Sequence, residues 1–232
     1  MSDQPLVLSL FPGIGLLDRA FEEEGFTVVR GPDVLWGGDV RRFHVRAGVF
    51  DGVIGGPPCQ VHSVLGSLNG RAGAAHGELI PEFCRVVAEA RPGWWLMENV
   101  PGATLPAVAG YGTHHADLDN RWLGGEQRRR RRFSFGTPDG RPLVPEVVAL
   151  EPLRALPTVV AGHGAAPSQR DRGFAYTLAE MCEWQGLPRS FADELPFTRH
   201  GKRRVIGNGV PLPMGRAVAR AVKRALAAGR QP

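Results

Sequence analysis

Lysine is nearly missing from this 232-residue chain: Lys202 and Lys223 are the only two, although Lys and Arg together number 28. Set against 23 Asp and Glu, that leaves a formal charge of +5 carried by arginine. A guanidinium grips phosphate bidentately where an ammonium does not, which fits a nucleic-acid partner. A GC-rich coding sequence would leave the same signature, and net charge alone speaks only to non-specific association. The partner has to be read from sites. Cysteine is scarce as well. Cys59, Cys84 and Cys182 are odd in number and far apart, with no C-x-x-C pair. That excludes a disulfide framework and a zinc ribbon, predicts no metal site, and fits a reducing cytoplasm. No apolar run approaches the ~20 residues that span a bilayer. The opening MSDQPLVLSLF carries an acidic residue and no basic stretch. Neither a membrane anchor nor a secretory signal is expected.

What is present reads as globular. Hydrophobic residues make up 43% of the chain, which excludes disorder as a description of the whole. A chain this long buries about 70% of its unfolded surface, so its core needs no disulfide or structural metal. It is one large domain, alone or with a small appendage.

The first hundred residues alternate strand-like and helix-like segments, which predicts βαβ units and a parallel sheet. Leu6 to Leu10 is an apolar run that ends in the turn Phe11-Pro12-Gly13-Ile14-Gly15. Leu16, Leu17, Ala20 and Phe21 then follow at helical spacing until Gly25. Thr27-Val28-Val29 and Gly52-Val53-Ile54 read as the next strands, the latter running into Gly55-Gly56-Pro57-Pro58-Cys59-Gln60. Residues 61–77 lack periodicity and read as a loop beside the cysteine. A helix is predicted over 78–90 and a buried strand at Trp94-Trp95-Leu96-Met97, ending in Glu98-Asn99. A basic strand is expected over 127–135, then a Pro/Gly-rich lobe, a short helix over 178–185, and a long amphipathic helix between Pro211 and Gly229.

The chemistry sits at the strand ends. Glycines in Phe11-x-Gly13-x-Gly15 let the backbone approach a ligand beside a helix N-terminus. A tight βα turn alone also asks for glycine. Asp33 and Asp39 follow, and a carboxylate at a strand end can accept from ribose hydroxyls or an adenine amine; as turn residues they need do neither. Two prolines stiffen the chain just before Cys59, at a carboxyl end where open α/β sheets place ligands. Cys84 and Cys182 fall inside helical patterns and read as packing residues, whereas Cys59 stands among Gly and Pro. Glu98 ends a strand at the same sheet edge. A carboxylate beside a thiol raises the thiol pKa, a poor design for a hydrolase. It makes sense if the acid grips a polar edge of a substrate while sulfur attacks an adjacent carbon. In Gln127-Arg128-Arg129-Arg130-Arg131-Arg132-Phe133, strand alternation points Arg129 and Arg131 the same way. Two guanidinium groups there would favour thiolate and bind phosphate or a base carbonyl.

In series, LFPGIGLLDRAFEEEGF, GGDV, GGPPCQ, HGELIPEFCRV, ENVPG, QRRRRRF, LAEMCEWQGLP and IGNGVPLPMGRAVARAV resemble the blocks of the DNA (cytosine-5)-methyltransferase family. They stand in the family's order and cover nearly all of the chain outside the Pro/Gly-rich lobe. The resemblance implies an α/β fold: a doubly wound, Rossmann-like sheet of the S-adenosylmethionine-dependent methyltransferase type with a small target-recognition lobe. Residues 1–135 would form the catalytic and cofactor-binding domain, 136–173 the lobe, and 174–232 a segment returning to complete the domain. It implies methyl transfer to C5 of a flipped-out cytosine in double-stranded DNA. Cys59 would add to C6, Glu98 would hold N3 and the exocyclic amine, Arg129 and Arg131 would flank the base, and Asn99 would shape the cysteine loop. The S-adenosylmethionine site would draw on Phe11, Gly13, Ile14, Asp33, Asp39, Val40, Pro58, Leu79, Asn208 and Val210. A cytoplasmic monomer is expected.

The sequence departs from the family at several points. Ser9 stands where an aspartate is common, Leu16 where a third glycine is usual, His62 where an aromatic follows PCQ, and Gly124-Gly125-Glu126 where the run is more apolar. The lobe, at roughly forty residues, can place few side chains in a major groove, which predicts a short or relaxed recognition sequence. Two other readings stay open: the same chemistry on tRNA, and a catalytically weak DNA-binding or regulatory relative.

Overall fold

The computed structural model describes residues 4–58, 79–148, 156–161 and 176–229. Six strands form one sheet in the order β2-β1-β3-β4-β6-β5. They are β1 (Leu6–Leu10), β2 (Thr27–Arg30), β3 (Gly52–Gly55), β4 (Trp94–Asn99), β5 (Gly112–Asp119) and β6 (Arg130–Thr137). The first four pair in parallel. The parallel arrangement expected of the first hundred residues is met by these four, and β6 then runs antiparallel between β4 and β5. Its reversal brings the start of β6 to the edge where β1, β3 and β4 end.

Strand residues alternate between two cores because successive side chains leave opposite faces of a pleat. Val7, Ile54, Trp94, Leu96, Phe133 and Phe135 enter one core, covered by helices α1 (Leu16–Glu23) and α5 (Leu212–Ala228). Leu8, Val53, Trp95 and Met97 enter the other, covered by α2 (Ile80–Ala90). The near-continuous apolar strands VLSL and WWLM are what burial on both faces demands. Helices α1 and α5 approach closely: a Cβ on Gly215 would stand 2.6 Å from the Ala20 Cβ. Two helices, α3 (Leu178–Trp184) and α4 (Arg199–Asn208), build a third cluster with Leu16, Ala20 and Val159.

Strand order turns at β1, with β2 on one side and β3 on the other. The crevice at the carboxyl ends of such a pair is where open α/β sheets bind ligands. Residues 136 and 137 complete β6. The described stretch beyond it follows α5, with Arg141 donating to the Ala225 carbonyl at 3.1 Å and Arg224 to that of Val144 at 3.1 Å. Residues 156–161 return between the start of β6 and α4. Among the described residues no helix is long and apolar enough to cross a membrane.

Candidate active site

The turn after β1 holds three residues in the left-handed region: Phe11 at φ 56°, Gly13 at 57° and Gly15 at 77°. For Phe11 this costs on the order of 1–2 kcal/mol, a strain that persists only where the surroundings enforce it. They do. The Phe11 amide donates to the Pro32 carbonyl at 3.3 Å. One Asp33 oxygen accepts from the Gly13 amide at 2.8 Å and the other from the Leu35 amide at 2.8 Å. The Trp36 indole donates to the Gly13 carbonyl at 2.7 Å. A Cβ on Gly13 would meet nothing within 4 Å, so the loop is braced from behind and open in front. Asp33 therefore holds the loop's shape, and its carboxylate already serves two amides.

The remaining residues assigned to the cofactor are divided among the three hydrophobic clusters and the surface. Val40 and Leu79 are buried in one core with Phe11 packed against them, Ile14 packs on the third cluster, and Val210 is buried beneath α5. Asp39 caps a short turn, accepting from the Arg41 amide at 3.0 Å and its Nε at 3.1 Å, contacts that keep its pKa low. Asn208 ends α4 on the exposed surface. The glycine loop, open on its outer side, is backed by these apolar residues.

At the carboxyl edge of the parallel strands, Glu98 is buried at the end of β4, and one of its oxygens lies 2.8 Å from Arg131 Nε on the neighbouring β6. The antiparallel register makes this pairing: Glu98 stands opposite Phe133 and Asn99 opposite Arg132. The other Glu98 oxygen leans over the cysteine turn, where a Cβ on Gly56 would come within 3.2 Å of it. Asn99 ties the same turn down, its Nδ2 donating to the Pro57 carbonyl at 3.1 Å while its Oδ1 accepts from the Val100 amide at 2.8 Å. Half-buried Pro58 is the last residue described before Cys59, which with residues 60–78 (His62 among them) lies outside the described residues.

Arg129 and Arg131 are treated differently. Arg129 precedes the strand and is 2% exposed, its guanidinium donating to the Val159 carbonyl at 3.0 Å and the Asn208 carbonyl at 3.4 Å. Its Nε has no partner among the described residues. Burial depresses its pKa well below the ordinary arginine value, the Arg131 cation adds to this, and Glu98 opposes it. A dry cation with a spare N–H makes the surrounding field positive and favours negative charge beside it.

Sequence reasoning missed the scaffold behind these groups. Gln127 is fully buried and donates to Gln185 Oε1 and the Trp184 carbonyl, both at 2.7 Å, while its own oxygen accepts from the Val159 amide at 3.1 Å. Gln185 passes the link on to the Ile206 carbonyl at 2.6 Å and that of Gly209 at 3.2 Å. The signal available was an amide heading an arginine run, matched by a second glutamine in QGLP. Also missed was Asp18. The Ser9 hydroxyl donates to it at 2.5 Å and Arg30 at 3.0 Å, and burial raises its pKa. The carboxylate absent at position 9 is thus supplied from α1. Leu16, in place of a glycine, is accommodated by Gly209, whose Cβ would stand 2.5 Å from its side chain. Gly125 is required because a Cβ there would collide with buried Asn120.

An α/β sheet with helices on both faces, a braced glycine loop after β1 and a buried acid at the end of β4 define a fold of the methyltransferase type. The family model for C-5 cytosine-specific DNA methylase matches residues 37–158, just over half of the chain, and the chain belongs to that family. Among curated relatives, Type II methyltransferase M.NgoPII of Neisseria gonorrhoeae is 33% identical over 114 residues, covering 41% of this chain and 33% of the relative. M.MthTI of Methanothermobacter thermautotrophicus is 31% identical over 160 residues, covering 56% and 48%. The chain thus spans a third to a half of the length of these relatives. In fold it is similar to Spodoptera frugiperda DNMT2, with a TM-score of 0.66 at 12% identity over 96% of this chain and 100% of that one. It is similar also to S. pombe Dnmt2, with a TM-score of 0.63 at 13% identity over 99% and 100%.

Proposed function

We propose that the protein transfers a methyl group from S-adenosylmethionine to C5 of cytosine in double-stranded DNA, within a short or relaxed recognition sequence. The observation that carries the reading is the Glu98 carboxylate, buried, clamped by Arg131 and leaning over the turn that leads into Cys59. An acid so placed suits the amine-and-ring-nitrogen edge of a cytosine, next to the ring carbon that Cys59 would attack. The target ring carbons are inaccessible in the stack, so the base leaves the duplex.

Phe11, Gly13, Ile14, Val40, Leu79 and Val210 would hold the cofactor, with Asp33 bracing the loop; Asp39, Pro58 and Asn208 complete the set. When bound, S-adenosylmethionine supplies an electrophilic methyl group on a sulfonium. Cys59, as thiolate, forms a bond to C6. Glu98 accepts from the exocyclic amine and holds a proton at N3, so the electron pair displaced from the C5–C6 bond is stabilised as C5 becomes nucleophilic. Arg131 fixes the carboxylate, and Arg129 behind it supports the developing negative charge. C5 takes up the methyl group, and loss of its proton to a base, water included, then expels Cys59 as thiolate and restores the ring. Asn99 keeps the cysteine turn in register and touches no reacting atom. Residues 1–135 would carry this chemistry, 136–173 the recognition lobe and 174–232 the closing segment, in a cytoplasmic monomer.

Labelled methyl transfer to duplex DNA, with tRNA as a parallel substrate, tests the reading. Wild type labels DNA and Cys59→Ser labels nothing. Activity retained without Cys59 removes the covalent route, and label in tRNA alone moves the substrate. Bisulfite mapping of plasmid DNA from expressing cells tests the relaxed site.

A further inference from the structure

The arginines of this chain are not equally partnered. Among the described residues, Arg128, Arg130, Arg199 and Arg204 are exposed and make no ion pair or side-chain hydrogen bond. Arg128 and Arg130 alternate with the inward Arg129 and Arg131 at the start of β6. The acids nearest them on β5 are engaged elsewhere: Asp117 by Arg132 at 2.7 Å and Asp119 by Arg121 at 3.1 Å. Arg199 and Arg204 belong to α4, whose first six residues, Arg-His-Gly-Lys-Arg-Arg, contain no acid. Cations in a first helical turn oppose the helix dipole, an unfavourable placement unless an anion lies opposite. Arg204 sits one turn before Asn208, whose carbonyl holds Arg129.

Residues 156–161 join the two pairs. The Arg128 amide donates to the Leu156 carbonyl at 2.9 Å, and a Cβ on Gly207 of α4 would stand 2.5 Å from the Val160 backbone. Arg128, Arg130 and Arg204 therefore border one strip beside the Glu98 edge, and Arg199 opens the helix that flanks it. Resting on the reading under Proposed function, we propose that Arg128, Arg130, Arg199 and Arg204 form a surface that grips the phosphate backbone of duplex DNA on both sides of this strip. Such a surface supplies sequence-independent affinity, which a chain with so short a recognition segment requires from its body.

The test is duplex affinity measured across a range of salt concentrations for Arg128→Gln/Arg130→Gln and for Arg199→Gln/Arg204→Gln. The control is Arg46→Gln/Arg91→Gln, two exposed, unpaired arginines at the opposite edge, where the Gly48 amide meets the Ala90 carbonyl at 2.9 Å. Each front pair is expected to lower the slope of log affinity against log salt by about two, one unit per lost phosphate contact, and the control not at all. Melting temperatures confirm that the exposed substitutions leave folding intact. Wild-type slopes in the front variants overturn the surface, as does an equal loss in the control, or binding confined to structured RNA. Labelled transfer run in parallel separates the two claims. Wild type that methylates DNA while the front variants keep its slope overturns the surface alone. Wild type that grips DNA through these arginines and transfers nothing overturns the catalytic reading and upholds the surface.

Discussion

On the face covered by α1 and α5, every cation of the outer seam meets an acid or a carbonyl. Arg216 reaches Glu23 at 2.6 Å, Arg220 reaches Glu24 at 2.7 Å, Lys223 donates to the Glu24 carbonyl at 2.7 Å, and Arg224 reaches Glu146 at 3.2 Å. At the carboxyl edge of the sheet the same residue type is used otherwise. Arg131 holds one carboxylate, Arg129 is sealed against two carbonyls with a spare N–H, and among the described residues Arg128, Arg130, Arg199 and Arg204 face solvent unpaired. The contrast teaches that the +5 net charge is no uniform coat. Charge on the outer seam closes on itself and fastens a helix to its neighbour, while charge at the edge is left available to something negative.

The largest effect expected from this contrast is at Glu98. Glu98→Gln keeps the shape and loses the anion that Arg131 faces, so methyl transfer should fall by about 10²–10⁴-fold while the melting temperature changes little. A loss of less than tenfold would make the buried acid structural. Next is the scaffold of the edge. Gln185→Leu removes two donations to carbonyls and one of the two acceptors of the buried Gln127 amide, which should cost about 2–4 kcal/mol in urea unfolding. A cost under about 1 kcal/mol would mean the network is redundant.

The seam should respond least. Arg216→Gln removes a pair whose side chains are 37% and 31% exposed, so screening leaves about 0.2–1 kcal/mol. Its pH dependence has a definite sign. Arg216 lowers the Glu23 pKa by hydrogen bonding, so this stabilisation is full above the ordinary glutamate value and vanishes as pH falls through the lowered native value. Wild type and variant should therefore differ in unfolding free energy at neutral pH and converge in acid. A difference that persists in acid would contradict the pairing.

The same contrast explains what could be read from the sequence. The glycine turn after β1, the acid ending β4 and helices α2 and α5 announce themselves by local pattern, since apolar spacing and turn residues fix them. Strand β5, Gly-Thr-His-His-Ala-Asp-Leu-Asp, lies at the sheet's margin with much of its surface exposed, so no alternation marked it. Helix α4 is basic along most of its length and shows no apolar stripe to find. The arginine run led to a strand expected over 127–135, whereas β6 spans Arg130–Thr137, because residues 127–129 turn aside to bond the 156–159 segment. The link between Gln127 and Gln185 joins positions 58 apart, a pairing that only the folded chain creates.

The proposed reaction rests on sulfur bonding to carbon. Incubation with S-adenosylmethionine and a duplex carrying 5-fluorocytosine, whose C5 has no proton to lose, gives the most direct reading. Wild type should run as a denaturant-resistant conjugate with the DNA, and Cys59→Ser should not. Wild type that transfers methyl groups to ordinary DNA yet never becomes fixed to the fluorinated strand would contradict it.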